Sequence, residues 1–385
     1  MLTCNVTHVI PSLEIGGAET MLVNLLAGMD RTRWNSTVVS LQDRGTLRDR
    51  IEALGVNTAS VGMRGSLPSP GSAWRLRREV RALKPRLIQG WMYHGNLAAL
   101  AGRALSAARP PVVWNIRSDV FAFATEKVLT AGVVRLCGLL SSGADRIIYN
   151  SRSSARGHAD LGFATNGAVV IPNGFDTRTF APSPALRAAF RSRLGVSDEV
   201  VLIGRIGRYH PVKDFPCFLE AAAMLARRRN QVRFVLAGPG VDSRNVDLVG
   251  LVDRTGLRDR VHLLGQVRFP QELIAALDIL CSSSAYGESF PRVLGEAMAC
   301  EVPCVTTDLG DSAWVVGNSG RVVRPRDPAA LAAGCDALIK AGRDGRSRLG
   351  AEGRKRVVQE FAIDRVVSQY ENLYQDLLST EGGRD

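Results

Sequence analysis

Residues 287–310 read GESFPRVLGEAMACEVPCVTTDLG. Two acids in this stretch, Glu288 and Glu296, stand eight positions apart. Between them Pro291 suits the first turn of a helix, where its missing N–H is no loss. Val293, Leu294, Ala297 and Met298 then recur at helical spacing and predict an apolar stripe. Pro303 punctuates the far end, and Cys304-Val305-Thr306 reads as a short buried strand. The predicted unit is loop, helix, turn, strand. A helix start between two carboxylates presents free N–H groups and the positive end of a dipole. An anion fits there, with hydroxyl-bearing groups at either side for the acids to accept from. A surface helix carrying two solvated glutamates accounts for the spacing alone just as well.

The same alternation runs outward from this stretch. Strand-like runs at residues 5–10, 37–41, 87–89, 112–116, 146–149 and 169–171 alternate with helical patterns such as 19–29. The rhythm restarts with runs at 200–204, 234–237, 261–264, 279–282, 304–306 and 322–323, and with a helix near 215–226. This is the βαβ rhythm of parallel sheets covered by helices on both faces. The proline-punctuated stretch 180–184 suits a linker. A chain of 385 residues accommodates two such domains. They are read as residues 1–178 and 179–365, followed by a last helical segment, 366–385. The expected class is α/β, with two Rossmann-like, doubly wound domains that gather ligands outside the carboxyl ends of their strands.

Composition narrows the function. Hydrophobic residues make up 45% and charged residues 22%, the balance of an ordinary globular protein. No apolar run nears the ~18 residues that a membrane span needs. The opening residues, MLTCNVTHVIPSLEIGG, lack the basic-then-apolar order of a signal peptide, so a cytoplasmic location is expected. Seven scattered cysteines show no zinc spacing and read as buried free thiols in a reducing compartment. The net charge of +12 is uneven: residues 1–178 carry 21 Lys+Arg against 12 Asp+Glu (+9), and 179–385 carry 28 against 25 (+3). Much of the excess lies in residues 74–86, WRLRREVRALKPR, a basic amphipathic helix led by Trp74. Such a face attracts anionic lipid headgroups, which would make the protein peripheral at the cytoplasmic face of a membrane. It equally fits a solvated helix. No nucleic-acid fold signature accompanies the charge, so nucleic acid is not an expected partner.

Three further segments carry chemistry. Gly16 and Gly17 follow the first strand and open the first helix, where backbone approaches a ligand closely and N–H groups face phosphate. A tight strand–helix turn needing glycine for shape explains them too. Residues 207–214, GRYHPVKD, follow the first strand of the second domain. Arg208 and Lys213 there suit one diphosphate, Arg by bidentate contact and Lys as a point charge; two solvated loop cations are the plain alternative. The nearby Gly204-Arg205-Ile206-Gly207 lacks the third glycine and later acid of a dinucleotide fingerprint, which argues against an oxidoreductase. No Asp-x-Asp pair occurs, so no metal-held nucleotide is expected. His94, within 91–96 after a first-domain strand, and Arg117, after the next, are candidates on the acceptor side. Asn173-Gly174-Phe175-Asp176 reads equally as an Asn-Gly turn.

The run from Gly287 through Asp308 resembles the E-x7-E signature of retaining nucleotide-sugar glycosyltransferases with the GT-B fold, two Rossmann-like domains facing across a cleft. The resemblance extends to the family's GGAE loop at residues 16–19 and to its GR-x4-K element at 207–213. It implies that Glu288 faces the donor sugar, with Ser289 and Phe290 beside it, and that Glu296 binds the ribose hydroxyls. It implies that Arg208 and Lys213 stabilise the departing diphosphate, and that the loop of Gly16 and Gly17 closes on the donor. Gln266 and Val267 would hold the base through backbone groups. His94 would contact the sugar or order the acceptor. The last helix would cross back to the first domain. The implied partners are a nucleotide-sugar donor and a glycan or lipid-linked acceptor, with no cofactor and no metal. Gly310-Asp311-Ser312-Ala313-Trp314 departs from the usual Gly-Gly and Glu and is similar to enzymes of bacterial surface polysaccharide assembly. A nucleotide-sugar 2-epimerase on the same fold and a non-catalytic sugar-nucleotide-binding subunit are the alternatives.

Overall fold

The computed structural model describes residues 3–42, 45–65, 68–120 and 128–381. Met1 and Leu2 of the opening stretch and the end of the 366–385 segment lie outside them. The described residues up to Gly174, together with those from Ile363 onward, form one compact unit; Phe175–Ala362 form the other.

The first unit holds β1 (Cys4–Ile10), β2 (Trp34–Ser40), β3 (Asn57–Ser60), β4 (Leu87–Trp91), β5 (Val112–Ile116), β6 (Arg146–Tyr149) and β7 (Ala168–Val170). They make one parallel sheet in the order β3-β2-β1-β4-β5-β6-β7. The second unit holds β8 (Val201–Ile206), β9 (Val232–Ala237), β10 (Val261–Leu263), β11 (Ile279–Ser282), β12 (Cys304–Thr307) and β13 (Gly320–Val323). Its sheet is also parallel, in the order β10-β9-β8-β11-β12-β13.

The central strands of each sheet are covered on both faces, which explains why they read as largely apolar runs. In the first, Val6, Leu87, Trp91 and Val113 line one face, and Val9, Ile88, Val112 and Trp114 the other. In the second, Ile203, Phe234, Ile279 and Val305 oppose Leu202, Val235, Leu280 and Cys304. All seven cysteines are buried and free. Strand β3 escapes the sequence reading because it is a short, polar edge strand, NTAS, with no fully buried residue.

The last helix, Ile363–Glu381, packs Val366, Val367, Tyr370, Tyr374 and Leu377 into the core beside Val6 and Trp91. The spacing of these residues is one apolar stripe of a helix. Tyr370 Oη accepts from Asn115 Nδ2 at 2.8 Å, Glu371 accepts from the Asp30 N–H at 2.8 Å, and Tyr374 Oη donates to Gln89. The sequence-based boundaries at 178/179 and 365/366 move to 174/175 and 362/363. The expected linker at 180–184 is instead part of the second unit, because Phe175 is buried in that unit's core and Arg354 donates to the carbonyls of Thr177 and Phe180.

Candidate functional site

In the second unit the chain runs from β8 outward to β9 and β10, then crosses to β11 on the other flank of β8. The β8–β11 pair is thus the point where the connections diverge, and ligands of open parallel sheets gather outside the carboxyl ends there. Residues 207–214 follow β8 and residues 283–291 follow β11. The fold therefore joins Lys213 to Glu288: Lys213 Nζ donates to Glu288 Oε1 in an ion pair whose side chains are 23% and 11% exposed. Ser284 Oγ donates to the same carboxylate oxygen at 2.7 Å. Burial acts to raise the Glu288 pKa, but Lys213, Ser284 and Arg205 together hold it below the usual carboxylate range.

A layer of polar side chains lies beneath this pair. Arg205, fully buried at the end of β8, sends Nη1 to the Ile206 carbonyl at 3.0 Å and Nη2 to the Lys213 carbonyl. Its guanidinium lies 4.6 Å from the Phe215 ring centre. Burial lowers its pKa to about 10, which leaves it charged at neutral pH. Ser283 Oγ donates to the carbonyls of Lys213 at 3.0 Å and Asp214 at 3.1 Å. Thr307 Oγ1 donates to the Ser284 carbonyl at 2.8 Å. Sequence reasoning missed Arg205, Ser283, Ser284 and Thr307. The signal available was one arginine inside the apolar run VLIGRI.

Glu296 lies on the helix Arg292–Ala299, where Arg292 Nη2 donates to its Oε1 at 3.1 Å. The Phe290 side chain is core, with ring centres 5.5 Å from Phe361 and 5.7 Å from Trp314. Ser289 is buried, and its carbonyl accepts from the Asp311 N–H at 2.8 Å. This packing requires a glycine at 310. Its φ is +55°, and a Cβ there would stand 2.0 Å from the Glu288 carbonyl oxygen. Arg208 is exposed, and its side chain makes no hydrogen bond or ion pair among the described residues. Burial, then Arg208 and Lys213, lowers the pKa of His210. Gln266 is exposed and Val267 half-buried after β10.

In the first unit the divergence point is the β1–β4 pair. Gly16 caps the helix Gly17–Gly28 after β1, and no side chain completes that cap. His94 follows β4, in the first turn of the helix Met92–Leu105 and half-buried. Met92, which joins that strand to the helix, is left-handed at φ +56°, an uncommon conformation for a side chain of this kind. Arg117, the other acceptor-side candidate, directly follows β5. It is buried, and its Nη atoms are committed to Asn115 Oδ1 at 3.2 Å, Tyr370 Oη at 2.9 Å and Asn173 Oδ1. It anchors the last helix.

Among the described residues no group of three His, Cys, Asp or Glu side chains is arranged to hold a metal ion. Among them, too, no helix is long and apolar enough to cross a membrane.

Residues 15–179 match Glycosyltransferase Family 4 and residues 198–341 match Glycosyl transferases group 1. The phosphatidyl-myo-inositol mannosyltransferase of Mycolicibacterium smegmatis is 30% identical over 297 residues, which is 73% of this chain and 72% of that protein. A D-inositol 3-phosphate glycosyltransferase of Geodermatophilus obscurus is 36% identical over 211 residues, 51% of this chain and 46% of that protein. The crystal structure of Anabaena Alr3699/HepE in complex with UDP has a TM-score of 0.83 at 23% identity, covering 97% of this chain and 100% of that one. The two divergence points, the two family matches in chain order and a relative aligned along most of its length lead to one assignment: the chain belongs to the group 1, family 4 glycosyl transferases and is a glycosyltransferase with the GT-B fold.

Proposed function

We propose that the chain is a retaining, metal-independent glycosyltransferase that moves a sugar from a UDP- or GDP-sugar to a hydroxyl of a lipid-linked glycan, a polysaccharide precursor or an inositol-bearing acceptor. The observation that carries the reading is the meeting of Lys213 and Glu288 where β8 and β11 end, with Arg208 and Glu296 on the segments that follow the same two strands. Lys213 and Arg208 take the diphosphate. As the sugar–oxygen bond breaks, negative charge grows on the departing phosphate, and fixed cations stabilise that charge without reorganising. The phosphate draws the Lys213 amine from Glu288, and the freed carboxylate accepts from a sugar hydroxyl. Glu296, oriented by Arg292, accepts from the ribose hydroxyls. The backbone at Gln266 and Val267 borders the base; Gly16, Gly17 and His94 serve the donor diphosphate and the acceptor.

On this reading no side-chain nucleophile takes part. A phosphate oxygen of the donor accepts the acceptor's proton while the new bond forms on the face the diphosphate leaves, so the anomeric configuration is retained. The UDP in the Alr3699/HepE crystal structure supports a uridine nucleotide, and the inositol named in two relatives supports a polyol or lipid-linked acceptor. The basic helix Pro70–Leu83 supports a peripheral place on an anionic membrane.

The test is a hydrolysis screen of UDP- and GDP-sugars, run in chelator, with mass detection of the released nucleotide. Release from one sugar nucleotide is expected. Conversion of a donor to its 2-epimer without nucleotide release would make the chain an epimerase, and full activity only after magnesium or manganese is restored would end the metal-independent reading.

A further inference from the structure

A guanidinium withdrawn from water costs several kcal/mol unless its donors are met, and an apolar side chain would pack the end of β8 more simply. Arg205 is nonetheless fully buried there, and no carboxylate accepts a hydrogen bond from it among the described residues. Its two acceptors are main-chain carbonyls, and the one farther along the chain belongs to Lys213, eight residues on. That carbonyl also accepts from Ser283 Oγ at 3.0 Å, so both of its lone pairs are engaged. The residue after it, Asp214, is left-handed (φ 46°, ψ 58°) and caps the helix Phe215–Arg228 by accepting from the Cys217 N–H at 3.2 Å. The Lys213 main chain is therefore held from below by Arg205 and Ser283 and from one side by a helix start, while its amine meets Glu288.

We propose that Arg205 is a positioning residue of the donor site: it fixes the main chain of Lys213 so that the amine is aimed at the incoming diphosphate, and it places a water-shielded positive charge behind that amine. The proposal rests on the reading of Lys213 as a diphosphate-binding group. Charge and clamp act together here. Lysine at position 205 keeps the charge but not the two-pronged reach to Ile206 and Lys213; methionine keeps neither.

Titration of the full-length chain with inorganic pyrophosphate by calorimetry tests this without knowledge of base, sugar or acceptor. Each variant is measured well below its own unfolding temperature, so that a loss of stability alone leaves the affinity unchanged. Removing a charge-assisted contact to phosphate should weaken binding about tenfold in Lys213→Ala, and Arg205→Met should lose about as much. Arg205→Lys should recover part of the loss, and Ser283→Ala, which removes the hydroxyl shared by the Lys213 and Asp214 carbonyls, should lose a few-fold. Wild-type affinity in Arg205→Met beside a loss in Lys213→Ala overturns the proposal and leaves the diphosphate reading standing. Wild-type affinity in Lys213→Ala, or no measurable pyrophosphate binding by the wild type, overturns the diphosphate reading and the proposal with it. If Arg205→Met does not fold, wild-type affinity in both Arg205→Lys and Ser283→Ala overturns the proposal.

Discussion

Lys213 and Glu288 are 75 positions apart in sequence, and no spacing rule joins them; their pairing follows from β8 lying beside β11. Glu288 and Glu296 were legible as a pair of acids, yet the sequence does not say that each is held by its own cation. On the proposed mechanism, Arg208→Ala and Lys213→Ala should lower kcat far more than donor affinity. Losing one fixed donor to developing charge costs about 3 kcal/mol, roughly a hundredfold in rate. Glu296→Ala should raise KM with kcat little changed, because the ribose hydroxyls alter little during the reaction. Steady-state kinetics with the donor found by the screen separates the two patterns; wild-type kcat in both cation variants would show them to be loop charges only. The first unit carries a second residue-scale consequence. Burial lowers His8 to about 3 and His158 to about 4, well under the ordinary value near 6.5. His8 Nδ1 accepts from the Trp91 indole N–H at 3.3 Å, which suits the neutral ring. Between pH 6.5 and 4 the unfolded chain binds protons that the folded chain refuses, so stability falls as pH falls through that window. The slope approaches about 1.4 kcal/mol per pH unit for each histidine. Thermal unfolding at pH 7.5, 6 and 5 should show a steadily falling Tm; a Tm unchanged to pH 5 would mean that these rings titrate normally in the folded state.

At the scale of elements, legibility follows apolar composition. All six strands of the second unit carry an apolar run, even the partly exposed edge strands β10 and β13, whereas the polar β3 carries none. The helix Arg292–Ala299 was found from its stripe, but not the reason for Gly295 in its middle. A Cβ at Gly295 would stand 2.2 Å from the Phe175 ring. Gly295→Ala gains about 1 kcal/mol of helix propensity, but forcing the ring aside costs more, typically 1–3 kcal/mol or above. Gly310→Ala adds a strained positive φ to a main-chain clash against the Glu288 carbonyl. Both variants should unfold at lower temperature than the wild type, and Gly310→Ala should also lose turnover because Glu288 must shift. Wild-type turnover in Gly310→Ala would separate that loop from the chemistry. The helix Pro70–Leu83 is the other element with a measurable consequence. Ser69 and Ser72 form its capping box, Leu76 and Val80 face inward, and Trp74, Arg77, Arg78 and Arg81 face solvent, continued beyond the helix by Lys84 and Arg86. Arg75 is diverted to the carbonyls of Val61, at 2.6 Å, and Gly62. Each exposed cation near an anionic surface contributes about 1 kcal/mol. The protein should therefore sediment with anionic vesicles and be released by salt. Arg77→Glu with Arg81→Glu should abolish sedimentation; equal recovery with neutral vesicles would remove the idea.

For the whole molecule, the decisive element is the last helix. Tyr370, Tyr374, Val366, Val367 and Leu377 are buried against the first sheet, and each such side chain contributes about 1.5–3 kcal/mol of burial. Removing residues 363–385 also strands Gln89, Asn115 and Arg117 without their tyrosine partners. Such a truncation should abolish the unfolding transition of the first unit in calorimetry and leave that of the second; a full wild-type endotherm would show the helix to be dispensable. The sequence marked this segment as a helix, but its attachment depends on tyrosine hydroxyls whose partners lie over 250 residues away. One more feature orders events in time. The second unit begins and ends at neighbouring points, with the Phe175 N–H donating to the Phe361 carbonyl at 2.9 Å and Phe175 bridged to Ala362. It is a closed insertion in the first unit, whose last helix is translated after it. Domains usually fold in the order in which the ribosome delivers them. Here the order inverts: the unit made second can be complete while the unit begun first still waits, its core open, for the helix Ile363–Glu381 to leave the exit tunnel.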